Sequence, residues 1–150
     1  MAHSYTNLLY HIVFATKDRC PCIESPIAGR LHAYLAGGIR AEGGTPIIIN
    51  GTADHVHMLA RLRQDKALSE VLRGIKAHSS KWVHDTFPSH PQFAWQRGYG
   101  AFTVSESQGE RVRSYIADQE RHHRRTTFED EFLALLNAHG IAFDPDYIWA

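Results

Sequence analysis

Two histidines and a tyrosine–glutamine pair occur in this chain at spacings that could bring reactive side chains together. His55 and His57 are separated by one residue, so on a β-strand both side chains point to the same side. Tyr115 and Gln119 are four residues apart, so on an α-helix they share a face. If that strand and that helix meet, two imidazoles and an amide could hold a divalent metal beside a phenol oxygen. Such an assembly suits the attack of a tyrosine on a phosphodiester.

Each of these residues also has a plain structural explanation. The chain contains eleven histidines in 150 residues, so about one His-x-His spacing is expected from composition alone. His55 and His57 would then lie on a sheet surface and bond to their neighbours. Tyr115, between Val112 and Ile116, would pack in the core. Two observations favour a site: the histidines occupy the strand face opposite the apolar one, and neutral ligands leave coordination positions open for a substrate.

Length and composition predict one compact domain. A chain of 150 residues with 43% hydrophobic and 21% charged residues is long enough for a real core and ordinary for a globular protein. The sequence has neither an apolar run of membrane-spanning length nor a secretory signal, so we expect a cytoplasmic protein with no membrane partner. Cys20 and Cys22 match neither a zinc knuckle nor a thioredoxin-like pair, and we expect free thiols.

The charge is unevenly distributed although the formal net charge is zero. Residues 127–150 contain five acidic residues and neither lysine nor arginine, which leaves sixteen basic and eleven acidic residues in 1–126. This excess of positive charge permits a polyanionic partner such as nucleic acid. A solvated surface of mixed sign is the simpler explanation of the same numbers.

Hydrophobic periodicity predicts an α+β fold. Strands are predicted at 5–17, 46–49, 55–63 and 99–105, with an Asn50-Gly51 turn before the histidine strand. Helices are predicted to begin near Ser25, Leu68, Ser107 and Thr126, the last two from capping boxes with Glu110 and Glu129. The first six elements form a ferredoxin-like (split βαβ) arrangement, an antiparallel sheet with two helices on one face and the other face open. C-terminal helices follow, and one of them carries Tyr115.

Three motifs resemble a known family of enzymes. They are residues 54–59 (DHVHML), 98–105 (GYGAFTVS) and 115–119 (YIADQ). In order and spacing they resemble the HUH-type single-tyrosine transposases, which move bacterial insertion sequences as single-stranded DNA. The resemblance covers roughly residues 5–128. The tail, with Phe128, Glu131 and the closing YIW, is similar to the branch that includes the REP-associated tyrosine transposases.

The resemblance implies a site, a substrate and an assembly. Tyr115 would be the nucleophile, and the ligands of Mg²⁺ or Mn²⁺ would be His55, His57 and Gln119. The enzyme would nick and rejoin single-stranded DNA with hairpin ends, through a 5′-phosphotyrosine intermediate and a free 3′-hydroxyl. It would act as a homodimer whose subunits could share active sites. Position alone suggests phosphate contacts at Lys17, Arg19, Arg61 and Arg63.

The same resemblance implies a catalytic domain at 1–126, with a C-terminal helix and tail at 127–150 packed on it. We expect a bacterial cytoplasmic protein that associates with the nucleoid when bound to DNA. Two other functions are compatible with the residues: a non-catalytic, domesticated protein that binds hairpin nucleic acid, and a metal-dependent phosphodiesterase that uses water. No general base stands out in the sequence. His11, on the first strand, could lie near the site, but a structural role is the simpler expectation.

Overall fold

The computed structural model describes residues 3–149 and contains one four-stranded antiparallel sheet. Its strands are β1 (Leu9–Ala15), β2 (Thr45–Gly51), β3 (His55–Arg61) and β4 (Gly100–Thr103), arranged in the order β2-β3-β1-β4. The helices are α1 (Ser25–Ala41), α2 (Leu68–Thr86), α3 (Gly109–Ala117), α4 (Gln119–His122) and α5 (Phe128–Ala138). The predicted ferredoxin-like α+β fold is confirmed, with β1 and β3 at the centre of the sheet.

Helices α1 and α2 cover one face of the sheet because each carries an apolar stripe at helical spacing. The stripes bury Ile27, Leu31, Leu35 and Ile39 on α1, and Val71, Leu72, Ile75 and Val83 on α2. They pack onto alternate residues of the central strands, namely Ile12, Phe14, Val56, Met58 and Ala60. Burying one such side chain contributes roughly 1.5–3 kcal/mol. This layer therefore fixes which face of β3 remains for the histidines.

The opposite face, predicted to be open, is covered by the C-terminal helices. One apolar cluster there consists of Leu9, Leu59 and Ile116, with part of α3 against the sheet. A second cluster joins the sheet to α5 through Val13, Ala15, Phe102, Phe128, Phe132 and Leu136. Side chains on this face are consequently screened from water. Within residues 3–149, every helix is too short or too polar to span a membrane.

Several local predictions differ from the structure at element ends. Asn50 and Gly51 belong to β2, and the turn comprises residues 52–54, because the strand pairing continues to Gly51 opposite Val56. The edge strand β2 is half-buried, since it has a neighbour on one side only. A 3₁₀ turn at Glu106–Gln108 precedes α3, which has no side-chain cap. Thr127 rather than Thr126 caps α5.

Gly51 is expected to tolerate no side chain. A Cβ at this position would collide with the carbonyl oxygen of His55 and lie 2.9 Å from Val56 Cα, and these backbone atoms belong to the paired strand. We expect Gly51→Ala to lower the free energy of unfolding by about 1–3 kcal/mol, as overpacking does. Urea unfolding measures this change.

Gly29→Ala is the matched control for that substitution. An added Cβ at Gly29 on α1 has nothing within 4 Å, so alanine should be neutral or stabilise by up to about 1 kcal/mol through its better helix propensity. Equal unfolding midpoints for the two variants would contradict the close approach of β2 and β3 at Gly51.

Candidate active site

Strand β3 delivers His55 and His57 to the covered face because side chains alternate along a strand. Val56 and Met58 face the layer of α1 and α2, so the two imidazoles point the other way. Both are completely buried, with 0% of the side chain exposed. The structure thus places the pair on the face that the sequence pattern predicts, but in an enclosed position.

Helices α3 and α4 carry Tyr115 and Gln119 across the same face. The predicted single helix is interrupted at Asp118, where α3 has ended and α4 has not begun. The pair nevertheless stays together, because Gln119 Nε2 donates to the carbonyl oxygen of Tyr115 at 3.4 Å. Gln119 Oε1 lies 3.3 Å from His55 Nε2. Gln119 is fully buried, whereas Tyr115 is half-buried and so keeps one edge toward solvent.

Asn50 fixes this helix break from the edge strand β2. Its side-chain amide donates to the carbonyl oxygens of Ile116 and Ala117 at 2.9 and 3.2 Å. A continuing helix would have paired these carbonyls with its own N–H groups, so the break leaves them in need of donors. A residue that the sequence pattern assigned to a turn therefore determines where α3 ends and where Gln119 begins α4.

His123 and Glu131 complete the site, and the sequence pattern did not assign either of them to it. Glu131 Oε1, on α5, lies 2.9 Å from His57 Nε2, 3.0 Å from His123 Nε2 and 3.4 Å from His55 Nε2. Glu131 Oε2 accepts a hydrogen bond from the Tyr115 hydroxyl. One buried carboxylate thus joins three imidazoles to the phenol within a single chain. The sequence signal that could have identified Glu131 is its position on the inner stripe of α5, beside Phe128, Phe132 and Leu136.

Burial and hydrogen bonding decide the protonation of this cluster. Burial opposes ionisation of Glu131, but hydrogen bonds from His55 and His57 outweigh it and hold the pKa of Glu131 well below its usual range. Burial also disfavours a charged His55, but its bonds to Asp54 and Glu131 prevail and raise its pKa to about 9. Burial and the bond to Glu131 raise the pKa of Tyr115 above its usual value. In this arrangement the phenol keeps its proton.

The donor atoms of the cluster fit a divalent cation. Donor atoms within 4.8 Å of one another come from His55, His57, His123 and Glu131. His55 Nδ1 lies 2.7 Å from the Asp54 carboxylate, so this nitrogen carries a proton. His55 Nε2 faces two oxygen acceptors, Gln119 Oε1 and Glu131 Oε1. Even a protonated His55 has only one N–H at Nε2 for these two oxygens. A cation between a neutral His55 ring and the two oxygens would accept a lone pair from each of the three atoms.

His11 on β1 positions the His57 ring. Its Nε2 lies 2.7 Å from His57 Nδ1, and the side chain is 4% exposed. Burial and the neighbouring His57 lower the pKa of His11 to about 3, so His11 is a neutral imidazole. A bond to one ring nitrogen orients the other, which here is the nitrogen that faces Glu131. His11 therefore lies next to the site and contacts it, rather than serving only as a core residue.

His11→Phe is expected to weaken Mn²⁺ binding by about 10–100-fold, the usual effect of removing the hydrogen-bond partner of a metal-ligating histidine. Isothermal titration calorimetry measures the affinity. His11→Gln keeps a polar group near the position of Nε2 and should recover most of the binding. An equal loss in both variants would indicate that His11 acts through packing alone.

Comparison with protein families decides what kind of protein carries this site. The model of the family described as "Transposase IS200 like" matches residues 4–119, most of the chain. The chain belongs to this family. It is 26% identical over 121 residues to the ISDra2 transposase TnpA of Deinococcus radiodurans, covering 75% of this chain and 84% of that protein. The resemblance carried by the three motifs is thereby confirmed, and the protein is a transposase, a DNA-processing enzyme.

Solved structures agree on the fold of the transposase. A crystal structure from Deinococcus radiodurans R1, described as a transposase, matches with a TM-score of 0.66 and 23% identity over 79% of this chain and 95% of that one. A REP-associated tyrosine transposase bound to a REP hairpin matches with a TM-score of 0.60 and 15% identity, over 82% of this chain and 73% of that one. At such identities these matches establish the shared α+β architecture.

The four predicted phosphate contacts of the transposase lie at opposite ends of the sheet. Lys17 and Arg19 follow β1 at the end where Ala15 pairs with His55. Arg61 and Arg63 lie at and beyond the other end of β3. Three of the four are paired with carboxylates, Arg19 with Glu129, Arg61 with Glu106 and Arg63 with Asp65. The fold does not bring the four together, and their contact with DNA stays a prediction.

Proposed function

We propose that this transposase cuts and rejoins single-stranded DNA through a covalent bond to Tyr115. The tyrosine oxygen attacks the scissile phosphorus as the bond to the 3′ oxygen breaks, which leaves a 5′-phosphotyrosine. The tyrosine proton leaves through Glu131, and the departing 3′ oxygen takes a proton from solvent to become a 3′-hydroxyl. A second 3′-hydroxyl then attacks the phosphotyrosine and restores a phosphodiester, so no nucleotide triphosphate is consumed. The observation that carries the proposal is the hydrogen bond from the Tyr115 hydroxyl to Glu131, whose other oxygen contacts His55 and His57.

His55, His57 and Gln119 are the proposed ligands of Mg²⁺ or Mn²⁺. We add His123 and Glu131 because their donor atoms lie in the same cluster. When bound, the cation would supply Lewis-acid charge to a phosphate oxygen. Imidazole nitrogens mixed with carboxylate and amide oxygens favour Mn²⁺ over Mg²⁺, which prefers oxygen ligands. The three ligands predicted from the sequence motifs are neutral, so Glu131 adds one negative charge to the ligand set.

Glu131 also accounts for the proton of Tyr115. A phenol whose pKa lies above the ordinary value of about 10 does not release its proton to neutral water. Glu131 Oε2 already accepts the hydrogen bond from that phenol, so it is the proposed first acceptor of the proton. Hydrogen bonds from His55 and His57 hold the pKa of Glu131 well below its usual range, so Glu131 would pass the proton on to solvent rather than keep it.

Single-stranded DNA with hairpin ends is the proposed substrate, and a homodimer is the proposed assembly. The similar fold of a REP-associated tyrosine transposase that is bound to a REP hairpin supports the substrate. The Tyr115 hydroxyl bonds to Glu131, the carboxylate that contacts His57 of the same chain, so a complete site does not require exchange of α3 between subunits. Sharing of active sites stays a prediction, which mixing two differently inactivated variants would test.

The covalent intermediate provides the test of this function. Wild-type protein would be incubated with Mn²⁺ and labelled hairpin DNA made from inverted repeats that flank its own gene. After nuclease and trypsin digestion, mass spectrometry should find a nucleotide on the peptide of residues 114–121, which Arg113 and Arg121 delimit. The released strand should carry a 3′-hydroxyl that a polymerase extends. An adduct on another peptide would overturn the assignment of Tyr115.

A further inference from the structure

Three arginines follow Gln119 in the short segment between the site and α5. Arg121, Arg124 and Arg125 are all exposed. Within residues 3–149 none of the three forms an ion pair or a side-chain hydrogen bond, in contrast to the arginines that pair with carboxylates: Arg19, Arg61, Arg63 and Arg113. A guanidinium without an internal partner is available to an external anion, and its planar fork matches a phosphate group.

Two of these arginines line a cleft that adjoins the nucleophile. The cleft has a volume of about 450 Å³, and its lining consists of Asp118, Arg121, His122, Arg125 and Thr126. His122 Nε2 lies 3.5 Å from the Tyr115 hydroxyl and 3.4 Å from Glu131 Oε2. The lining has two arginines against the one acid, Asp118, so positive charge prevails in the cleft even with a neutral His122. An anion in this cleft would contact His122, which itself lies beside the Tyr115 hydroxyl.

We propose that this cleft binds the backbone of the DNA strand beside the scissile phosphate, with Arg121 and Arg125 contacting phosphates. The inference rests on the proposed function, because it places the strand against Tyr115. It also explains why the nucleophile keeps one edge exposed although its hydroxyl faces a buried carboxylate. Phosphate contacts of this kind supply affinity without reading sequence. The strand would therefore be held here whatever its bases.

Salt dependence of binding tests the inference without any chemistry on the DNA. In a Tyr115→Phe background, the affinity for fluorescent oligo-dT would be measured by anisotropy between about 50 and 200 mM salt. Each phosphate contact to a single strand contributes about 0.7 to the slope of log affinity against log salt. Arg121→Ala with Arg125→Ala should therefore flatten the slope by about 1.4. Arg121→Lys with Arg125→Lys keeps both charges and should retain most of the wild-type slope.

Arg40→Ala with Arg73→Ala removes the same charge from α1 and α2 and is the comparison variant. We expect it to change the slope little, because both exposed side chains belong to the helix layer on the sheet face opposite the histidines. An unchanged slope in the Arg121 and Arg125 variant would overturn the inference. An equal fall in both double variants would overturn it too, since only net charge would then matter. If the wild-type protein formed no adduct on Tyr115 while the slope still depended on Arg121 and Arg125, the proposed function would be rejected instead.

Discussion

Tyr115→Phe is expected to abolish the covalent DNA adduct and to slow strand cutting by roughly 10⁴-fold or more, as loss of a catalytic nucleophile does. The attacking oxygen is gone, while the ring still packs against His11 and His57 of the sheet. Glu131 loses one hydrogen-bond donor, which costs about 1 kcal/mol. The variant should therefore fold, bind DNA and bind Mn²⁺. Single-turnover cutting followed on denaturing gels measures the rate.

The same variant separates the three functions compatible with the sequence. A phosphodiesterase that uses water would cut equally well with and without the Tyr115 hydroxyl. A domesticated binding protein would retain the DNA and cut nothing, even in its wild-type form. Tyr34→Phe is the matched control, because Tyr34 stacks on Trp82 in the layer of α1 and α2, away from the histidines. This control should form the adduct at the wild-type rate.

Glu131→Leu is expected to destabilise the metal-free protein by about 3–5 kcal/mol, the usual result of removing one partner of a buried charge pair. Glu131 is 4% exposed and lies between His55, His57 and His123. Without the carboxylate, a charged His55 has lost one of its two acidic neighbours, and the other imidazoles have lost their shared acceptor. Urea unfolding in the presence of EDTA measures the loss.

Partly exposed Glu129, on the same helix, provides the control for Glu131. Its ion pair with Arg19 lies at the surface, so Glu129→Leu should cost less than about 1 kcal/mol. Added Mn²⁺ should raise the melting temperature of the wild type, because a ligand of the native state stabilises it. That rise should shrink in Glu131→Leu and vanish when His55 and His57 are both replaced by alanine. Equal small losses at Glu129 and Glu131 would contradict the role of the buried carboxylate.

The sequence predicts those features of this protein that depend on a local periodicity, either the alternation along a strand or the spacing along a helix. The two-residue period of β3 places His55 and His57 together opposite Val56 and Met58, and the four-residue spacing keeps Gln119 beside Tyr115. Strand and helix order follow from the same kind of pattern. Element ends are less predictable, because neighbouring residues can satisfy the same rule. Thr126 and Thr127 both precede a helix, and the cap hydrogen bond is made by Thr127.

Contacts between distant segments were not predictable from spacing. Glu131 is seventy-four residues from His57 in sequence. Its position on the inner stripe of α5 indicates burial but does not identify the residues that it contacts. Asn50 follows the rule for a turn residue, yet it clamps α3 sixty-six residues later. Both roles depend on how the C-terminal helices lie on the sheet, which the apolar residues of the second cluster decide.

Anomalous diffraction at the manganese edge would locate the cation in crystals of the protein grown with Mn²⁺. It tests whether a cation site and the Tyr115 hydroxyl lie side by side within one chain. The arrangement of donors predicts a single strong peak within coordination distance of His55 Nε2, His57 Nε2 and Gln119 Oε1, with the Tyr115 hydroxyl facing the same space. A peak elsewhere, or none at saturating Mn²⁺, would contradict the metal-assisted tyrosine chemistry that we propose for this transposase.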